Sequence, residues 1–444
     1  MSVKNIILYS LTFLIIISCG SNSEDLTSGT QTASLVQALD QELNPLTTNP
    51  LNWSDNDLAF LDPIADKSII ALGEATHGTA EFFNSKHRIF KYLVENHNFK
   101  IFAFEADFGE SLLINDAIQR GATGEIEELM RTKMHFWTWR TEEVKNLLEW
   151  MSEYNIGKSK ENKIHYMGVD CQFNTYHPSM VREFLFSTGA PFISSAEQIL
   201  DEAETATQAS FDSYNRGIFG SYLGRLDALQ DSITTHSIDL INASSEKEYE
   251  LTIRMVKVIR QVSQVRFART IGDYSYNYRD QYMAENAAWL NEYFNGEKMV
   301  IWAHNAHIGN NSKFGRGIAM GYHLKQDFGN NYSSIAFLFS QGSFTAVGSS
   351  GNPNTGLGEQ VINVAPQKNS INYVMYQSTE AAFSVEIEKL QQYGIWKDAF
   401  VNGIEYFDIG STYNNNLEDF YRVFSPIFYY YIIYFDKSTA SILL

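Results

Sequence analysis

The chain has 444 residues, 44% of them hydrophobic and 14% aromatic, too apolar for a disordered chain and enough to bury a large core. Its formal net charge is -19 and no basic stripe interrupts the acidic surface. Nucleic acid is thereby excluded as a partner, because phosphate binding needs clustered Lys and Arg.

The N-terminus reads as an export signal. Lys4 supplies a short basic region, an apolar run spans Ile6 to Ile17, and Ser18-Cys19-Gly20 follows. The run is too short for a permanent membrane span and has a small residue before its end, as a signal peptide does. Ile16-Ile17-Ser18-Cys19 resembles a bacterial lipobox. That resemblance implies cleavage before Cys19, lipidation of its thiol, and a protein exported and held on the periplasmic or cell-surface face of a membrane. Residues 1–18 are then signal peptide, 19–50 a polar tether with a short helix around Leu35 to Leu43, and 51–444 the folded body. The remaining cysteine, Cys171, cannot form an internal disulfide and reads as a small core residue.

Short apolar runs then follow: Ser68 to Leu72, Ile101 to Phe104, Ile164 to Val169, Met299 to Ala303 and Ser334 to Leu338. None alternates strictly, which predicts strands buried on both faces of a parallel sheet. Between the first two, Phe82, Phe83, Ile89, Phe90, Leu93 and Val94 share one face of a helix. Strand, helix, strand predicts an α/β fold, three layers α/β/α around a mainly parallel sheet. Residues 178–296 carry helical patterns and little strand, and read as a large helical insertion; 348–358 reads as a loop.

Polar residues end these strands: Glu74 and His77 after the first, Glu105 after the second, Asp170 after the third, His304 and His307 after the fourth. In an open parallel sheet the carboxyl ends share one edge, and ligands bind there. No nucleophile-elbow serine, His-Glu-x-x-His helix, Cys-x-x-Cys pair or glycine-rich phosphate loop occurs. Imidazoles with carboxylates are tools of general acid–base chemistry. His77 could take a proton from water, Glu74 or Glu105 could hold its tautomer, and a second imidazole could bond the oxyanion. The same residue types also make a Zn or Mn ligand set, and spacing does not separate the two.

Gly73-Glu74-Ala75-Thr76-His77-Gly78-Thr79-Ala80-Glu81-Phe82 resembles the first signature of the erythromycin esterase family. Phe104 to Asp107, Trp137 to Arg140, Met167 to Asp170, Arg279-Asp280 with Met283 to Asn286, and Trp302 to His307 resemble its later motifs in order. The resemblance, over roughly Ile69 to Phe337, implies ester hydrolysis with no cofactor and no metal, by activated water and without a covalent intermediate, on a small-molecule ester such as a macrolide lactone. It implies His77 as general base, Glu74 and Glu105 as its acids, and His304 as the later histidine with His307 beside it. Lys86 falls where many members carry Arg.

Beyond this set, Lys86 and His87 also read as a solvated helix face, Arg279 as a substrate clamp or an ion pair within the insertion, and Trp139 as a pocket wall or core packing. Lys86, Arg279 and Trp139, with Asp170 and His307, make the expected substrate-binding set. From another class stands a haem- or small-ligand-binding lipoprotein of related fold; the full Glu74-x-x-His77 motif with Glu105 and His304 favours the enzyme.

Overall fold

Each apolar run becomes a strand, and together these strands carry the site. The computed structural model describes residues 29–208, 216–272, 276–310, 317–349 and 352–444. The strands are β1 Ile69–Leu72, β2 Phe99–Asp107, β3 His165–Asp170, β4 Lys298–Trp302, β5 Tyr332–Gly348, β6 Gly356–Ile362, β7 Ala382–Glu386 and β8 Tyr431–Ser438. Across the sheet they run β7-β8-β5-β1-β4-β2-β3, with Asn44–Pro45 outside β7. Every pairing from β8 to β3 is parallel; β7 and Asn44–Pro45 add antiparallel strands at one edge, and β6 pairs antiparallel with β5.

Strand β1 is central. Ile69–Leu72 pair with Met299–Trp302 on one side and with Tyr332–Ile335 on the other, and all four residues are buried. With apolar side chains on both faces, such a strand is stable only when both faces are covered. The helix Ala80–His97 buries Phe82, Phe83, Ile89, Phe90 and Leu93, the stripe the periodicity predicts. The fold is α/β, mainly parallel, with a large helical insertion.

Between β3 and β4 the described residues are helical: His177–Ser187, Ile193–Gln208, Arg216–Thr235, Ser237–Ala243, Glu246–Thr270 and Tyr276–Tyr293. Val181, Leu185, Leu200, Leu226, Leu229 and Ile259 give this insertion a hydrophobic cluster of its own. Its last helix docks on the end of β3, where Asn286 Nδ2 donates to Val169 O at 2.8 Å.

Two sequence expectations are corrected. Residues 29–50, read as the end of a tether, belong to the body. In Gly29–Glu42, Leu35, Ala38 and Leu39 are buried, and Trp396 Nε1 donates to Leu35 O at 3.1 Å. Apolar residues three and four apart form a stripe, and here the stripe finds a partner. The 348–358 loop is shorter than read, because Gly356–Ile362 folds back antiparallel along the far half of β5. The leader, 1–18, and Cys19 lie outside the described residues. Among the described residues no helix is long and apolar enough to cross a membrane.

Candidate active site

The turn after β1 is shaped by close backbone approach. A Cβ on Gly73 would fall 2.0 Å from Asn305 Oδ1, and one on Gly78 2.0 Å from Thr345 O, so both positions require glycine. His77 sits between them. Its N–H donates to Gly410 O at 3.2 Å, and its carbonyl accepts from Thr138 Oγ1 at 2.6 Å. The chain's last residues strap the same turn: Ser441 N donates to Gly78 O, Ala80 N to Thr439 O, and Thr439 N to Glu81 Oε2.

Glu74 is wholly buried and fully engaged. Oε1 meets His77 Nδ1 at 2.7 Å; Oε2 accepts from Lys86 Nζ and from Trp302 Nε1, each at 2.6 Å. Burial alone would raise the Glu74 carboxyl, but Lys86 and the hydrogen bond from His77 outweigh it and hold it below its ordinary range. Burial pulls the Lys86 ammonium down to about 8, with Glu74 opposing the fall. Lys86 is therefore no solvated residue. Its charge also lies 4.3 Å from the centre of the Trp302 ring, a cation–π contact.

A second ionic group is built around Glu105, at the end of β2. Arg279 clamps Asp170 through Nε at 2.9 Å and Nη2 at 2.8 Å, and gives Nη2 also to Glu105 Oε1 at 2.6 Å. Glu105 Oε2 accepts the His304 N–H at 2.9 Å, and its Oε1 lies 3.2 Å from His307 Nε2. Burial would raise Glu105, but His307 and Arg279 hold it well below the usual carboxylate range. His307 Nδ1 pairs with Asp280. Burial would discharge His307, yet Asp280 and Glu105 raise it to about 10, so it is an imidazolium at neutral pH.

His304 caps the short helix Asn305–Ile308 and accepts from Ala306 N at 3.4 Å through Nδ1. The proton of a neutral ring then sits on Nε2. That nitrogen lies 3.3 Å from Asp408 Oδ1, at an angle that falls short of a hydrogen bond, and both atoms are closed to solvent. Burial, then the nearby charges of His77 and His307, push His304 down to about 3. Burial likewise raises Asp408 well above its ordinary range. His77 is the more open imidazole, its side chain 15% exposed.

The structure thus gathers Glu74, His77, Lys86, Glu105, Asp170, Arg279, His304 and His307 at one sheet edge. Glu105 serves Arg279, His307 and the His304 backbone, so Glu74 alone orients His77. Trp139 does not wall a pocket: it is 1% exposed, edge-on to Trp302 at 5.3 Å. Its turn serves the site through Thr138 instead. Sequence reasoning quoted Trp302, Asp280 and Thr138 within motifs but gave them no role, and it missed Asp408. It also missed Glu110, whose Oε2 meets His135 Nδ1 at 2.5 Å, while His135 Nε2 lies 2.7 Å from Thr175 Oγ1. Among the described residues no group of three or more His, Cys, Asp or Glu is arranged to hold a metal ion.

A sequence model described as erythromycin esterase matches residues 94–425, beginning after the segment that carries Glu74 and His77. The chain is 27% identical over 328 residues to erythromycin esterase type II of Escherichia coli, covering 67% of this chain and 76% of that one. A crystal structure of a Bacillus cereus protein superposes with a TM-score of 0.81 at 23% identity, covering 93% of this chain and 99% of the other. The erythromycin esterase EreC, as a histidine-to-asparagine mutant in its open conformation, superposes with a TM-score of 0.65 at 14% identity, covering 89% and 97%.

Proposed function

The chain belongs to the erythromycin esterase family, and from that premise we propose that this hydrolase cleaves a carboxylic ester with water activated at His77, with no metal and no covalent intermediate. The observation that carries the proposal is the Glu74–His77 pair. With Nδ1 bonded to a carboxylate at 2.7 Å, the lone pair of His77 is on Nε2, where it can accept a proton from water. As the imidazolium forms, Glu74 stabilises it without taking the proton. Lys86 and Trp302 in turn hold Glu74 as an anion.

His304 stays neutral because of its burial, so the proton taken from water is confined to His77. Arg279 and the His307 imidazolium supply the cationic side of the site, the side that favours charge developing on the carbonyl oxygen. Metal-free chemistry is supported by the donor set. Glu74, Glu105 and Asp170 are each bonded to Lys86 or Arg279, and a cation already in place opposes a divalent ion.

The Escherichia coli relative carries the name of a macrolide esterase, which makes a macrolide lactone the first substrate to try. The test is incubation of macrolides and simple esters with wild type and His77→Asn, reading the gain of one water by mass spectrometry. Hydrolysis by wild type alone supports the proposal; equal hydrolysis by both overturns it. We further propose that the protein is exported and anchored through lipid on Cys19, which rests on the apolar run ending at Ser18.

A further inference from the structure

At the amino end of β3, opposite the site just described, a cavity of about 490 Å³ opens between the sheet edge and the helical insertion. That is within the range of small-molecule pockets, about 300–1,000 Å³. Its wall is apolar: Leu112 from the helix Phe108–Arg120, Met167 from β3, Leu251 from Glu246–Thr270, and Phe294. Its rim is not. Lys100, Lys160, Lys163 and Lys247 all line it, against Glu161 and Glu297. In a chain with 33 basic and 52 acidic residues, four lysines at one opening are a local reversal of charge.

His165, the first residue of β3, stands in this cavity with its ring 4.4 Å from that of Phe294, centre to centre. Its Nδ1 is buried and has no hydrogen-bond partner among the described residues. Burial, then Lys100, Lys163 and Lys160, push its pKa down to about 4, so three positive charges converge on one neutral ring. Lys100 shares its charge with Glu297 at 2.9 Å, and Lys163 donates to Gln119 O at 2.5 Å. Lys160 is exposed and forms no ion pair among the described residues.

We propose that this cavity binds an amphipathic anion, a carboxylate on an aliphatic body of medium length. The chain lies against Leu112, Met167, Leu251 and Phe294. The carboxylate sits at the rim between Lys160 and Lys163, within reach of His165. Each half answers one property of the site: apolar area leaves water, and Lys160 and Lys163, which form no ion pair among the described residues, gain an anion, while Lys100 and Lys247 already pair with Glu297 and Glu250. A neutral amphiphile would forgo the second gain, and a cationic one would meet repulsion. The site is independent of ester hydrolysis and needs no turnover.

The test is calorimetric titration of the whole protein with dodecanoate, dodecan-1-ol and dodecyltrimethylammonium, each below its aggregation threshold. Two variants accompany wild type: Lys160→Glu with Lys163→Glu, which reverses the rim, and Leu251→Trp, which fills the cavity. Circular dichroism controls for folding, and the exposed Lys160→Glu alone replaces the double variant if that fails to fold. Dodecanoate should saturate one site at least tenfold more tightly than the alcohol or the ammonium. The rim variant and the filled variant should each weaken it at least tenfold. Histidine NMR should show the His165 pKa rising when dodecanoate is bound. The proposal is overturned by absence of saturable dodecanoate binding, by equal affinity for the cationic amphiphile, by binding that ignores both variants, or by a His165 titration that the ligand leaves unchanged.

Discussion

The rings of His77 and His304 lie 5.0 Å apart, centre to centre, and carry their protons in opposite senses. His77 points Nδ1 at the Glu74 carboxylate, leaving Nε2 to accept; His304 receives the Ala306 N–H on Nδ1, leaving Nε2 to donate. Only one of the pair can act as base. His77→Asn should therefore lower turnover by about 10²–10⁴-fold, the usual value of a general base. Affinity for intact ester should change far less, since the lost contact is to water in the transition state. Turnover and ligand binding, with circular dichroism as the folding control, check this; a folded variant with near wild-type turnover would remove His77 from the role.

Lys86 is expected to set the alkaline limit of activity. Its ammonium is present below about pH 8, and above it Glu74 loses its cation. Activity should fall as pH rises through about 8. In Lys86→Arg the side chain stays charged beyond pH 12, and the falling limb should move to higher pH. Stability runs the other way: between about 8 and the unfolded value near 10.4 the unfolded chain holds the extra proton, so this group makes stability rise with pH. A pH–rate profile with the same alkaline limb in both proteins would show that Lys86 does not set it.

His307 is a stability element as well as a charge. Its pKa of about 10 is above the ordinary value near 6.5, so its contribution is complete below 6.5 and is lost as pH rises through 10. His307→Gln leaves Asp280 and Glu105 short of a cation, a loss that costs about 3–5 kcal/mol when a buried pair is broken. Denaturant melts should show the largest deficit near pH 6 and a narrowing gap toward pH 10. A deficit independent of pH would mean that the imidazolium form is not what matters.

Asp408 faces His304 with its carboxyl pushed well above the ordinary range by burial, which favours the protonated form. Asp408→Asn keeps an acceptor of the same shape and should leave fold and turnover close to wild type. Asp408→Leu replaces the carboxyl 3.3 Å from His304 Nε2 with an apolar side chain, and should lower melting temperature and turnover together. Equal damage from both substitutions would show that an ionised Asp408 is required.

The anchor is tested separately. Cys19→Ser should move the protein from the membrane fraction to the soluble one. A variant that stays in the membrane with its leader intact overturns lipidation at this position.

Much of the fold was legible because β1 to β5 are apolar runs, whose signal survives without knowledge of partners. The end of the sheet was not: β7 is only Ala382–Glu386, and it pairs antiparallel with a strand beyond the reach of the family motifs. Glu74, His77, Glu105, Asp170 and His304 were legible because a polar residue at the end of an apolar run marks a sheet edge. Asp408 has no such mark. It sits in irregular backbone carried to the site by Ile409 and Gly410, whose N–H groups bond Ala75 O, and by Gly410 with φ 76°. Lys86 was ambiguous in sequence because burial of an ammonium depends on Glu74 and Trp302, far apart along the chain. Trp139 stayed open between pocket wall and core packing because an aromatic in a turn reads alike whether it faces a cleft or a core.

The strap across Gly78 has a consequence for the order in which the chain becomes competent. Thr439 and Glu81 are 358 residues apart, and contacts of that separation form late, after most of the chain has been closed into loops. The turn bearing His77 is made early in synthesis, but some of the bonds that fix it come from residues 439–441, made far later. Until those residues arrive, Gly78 O and Ala80 N lack the partners that Ser441 and Thr439 give them.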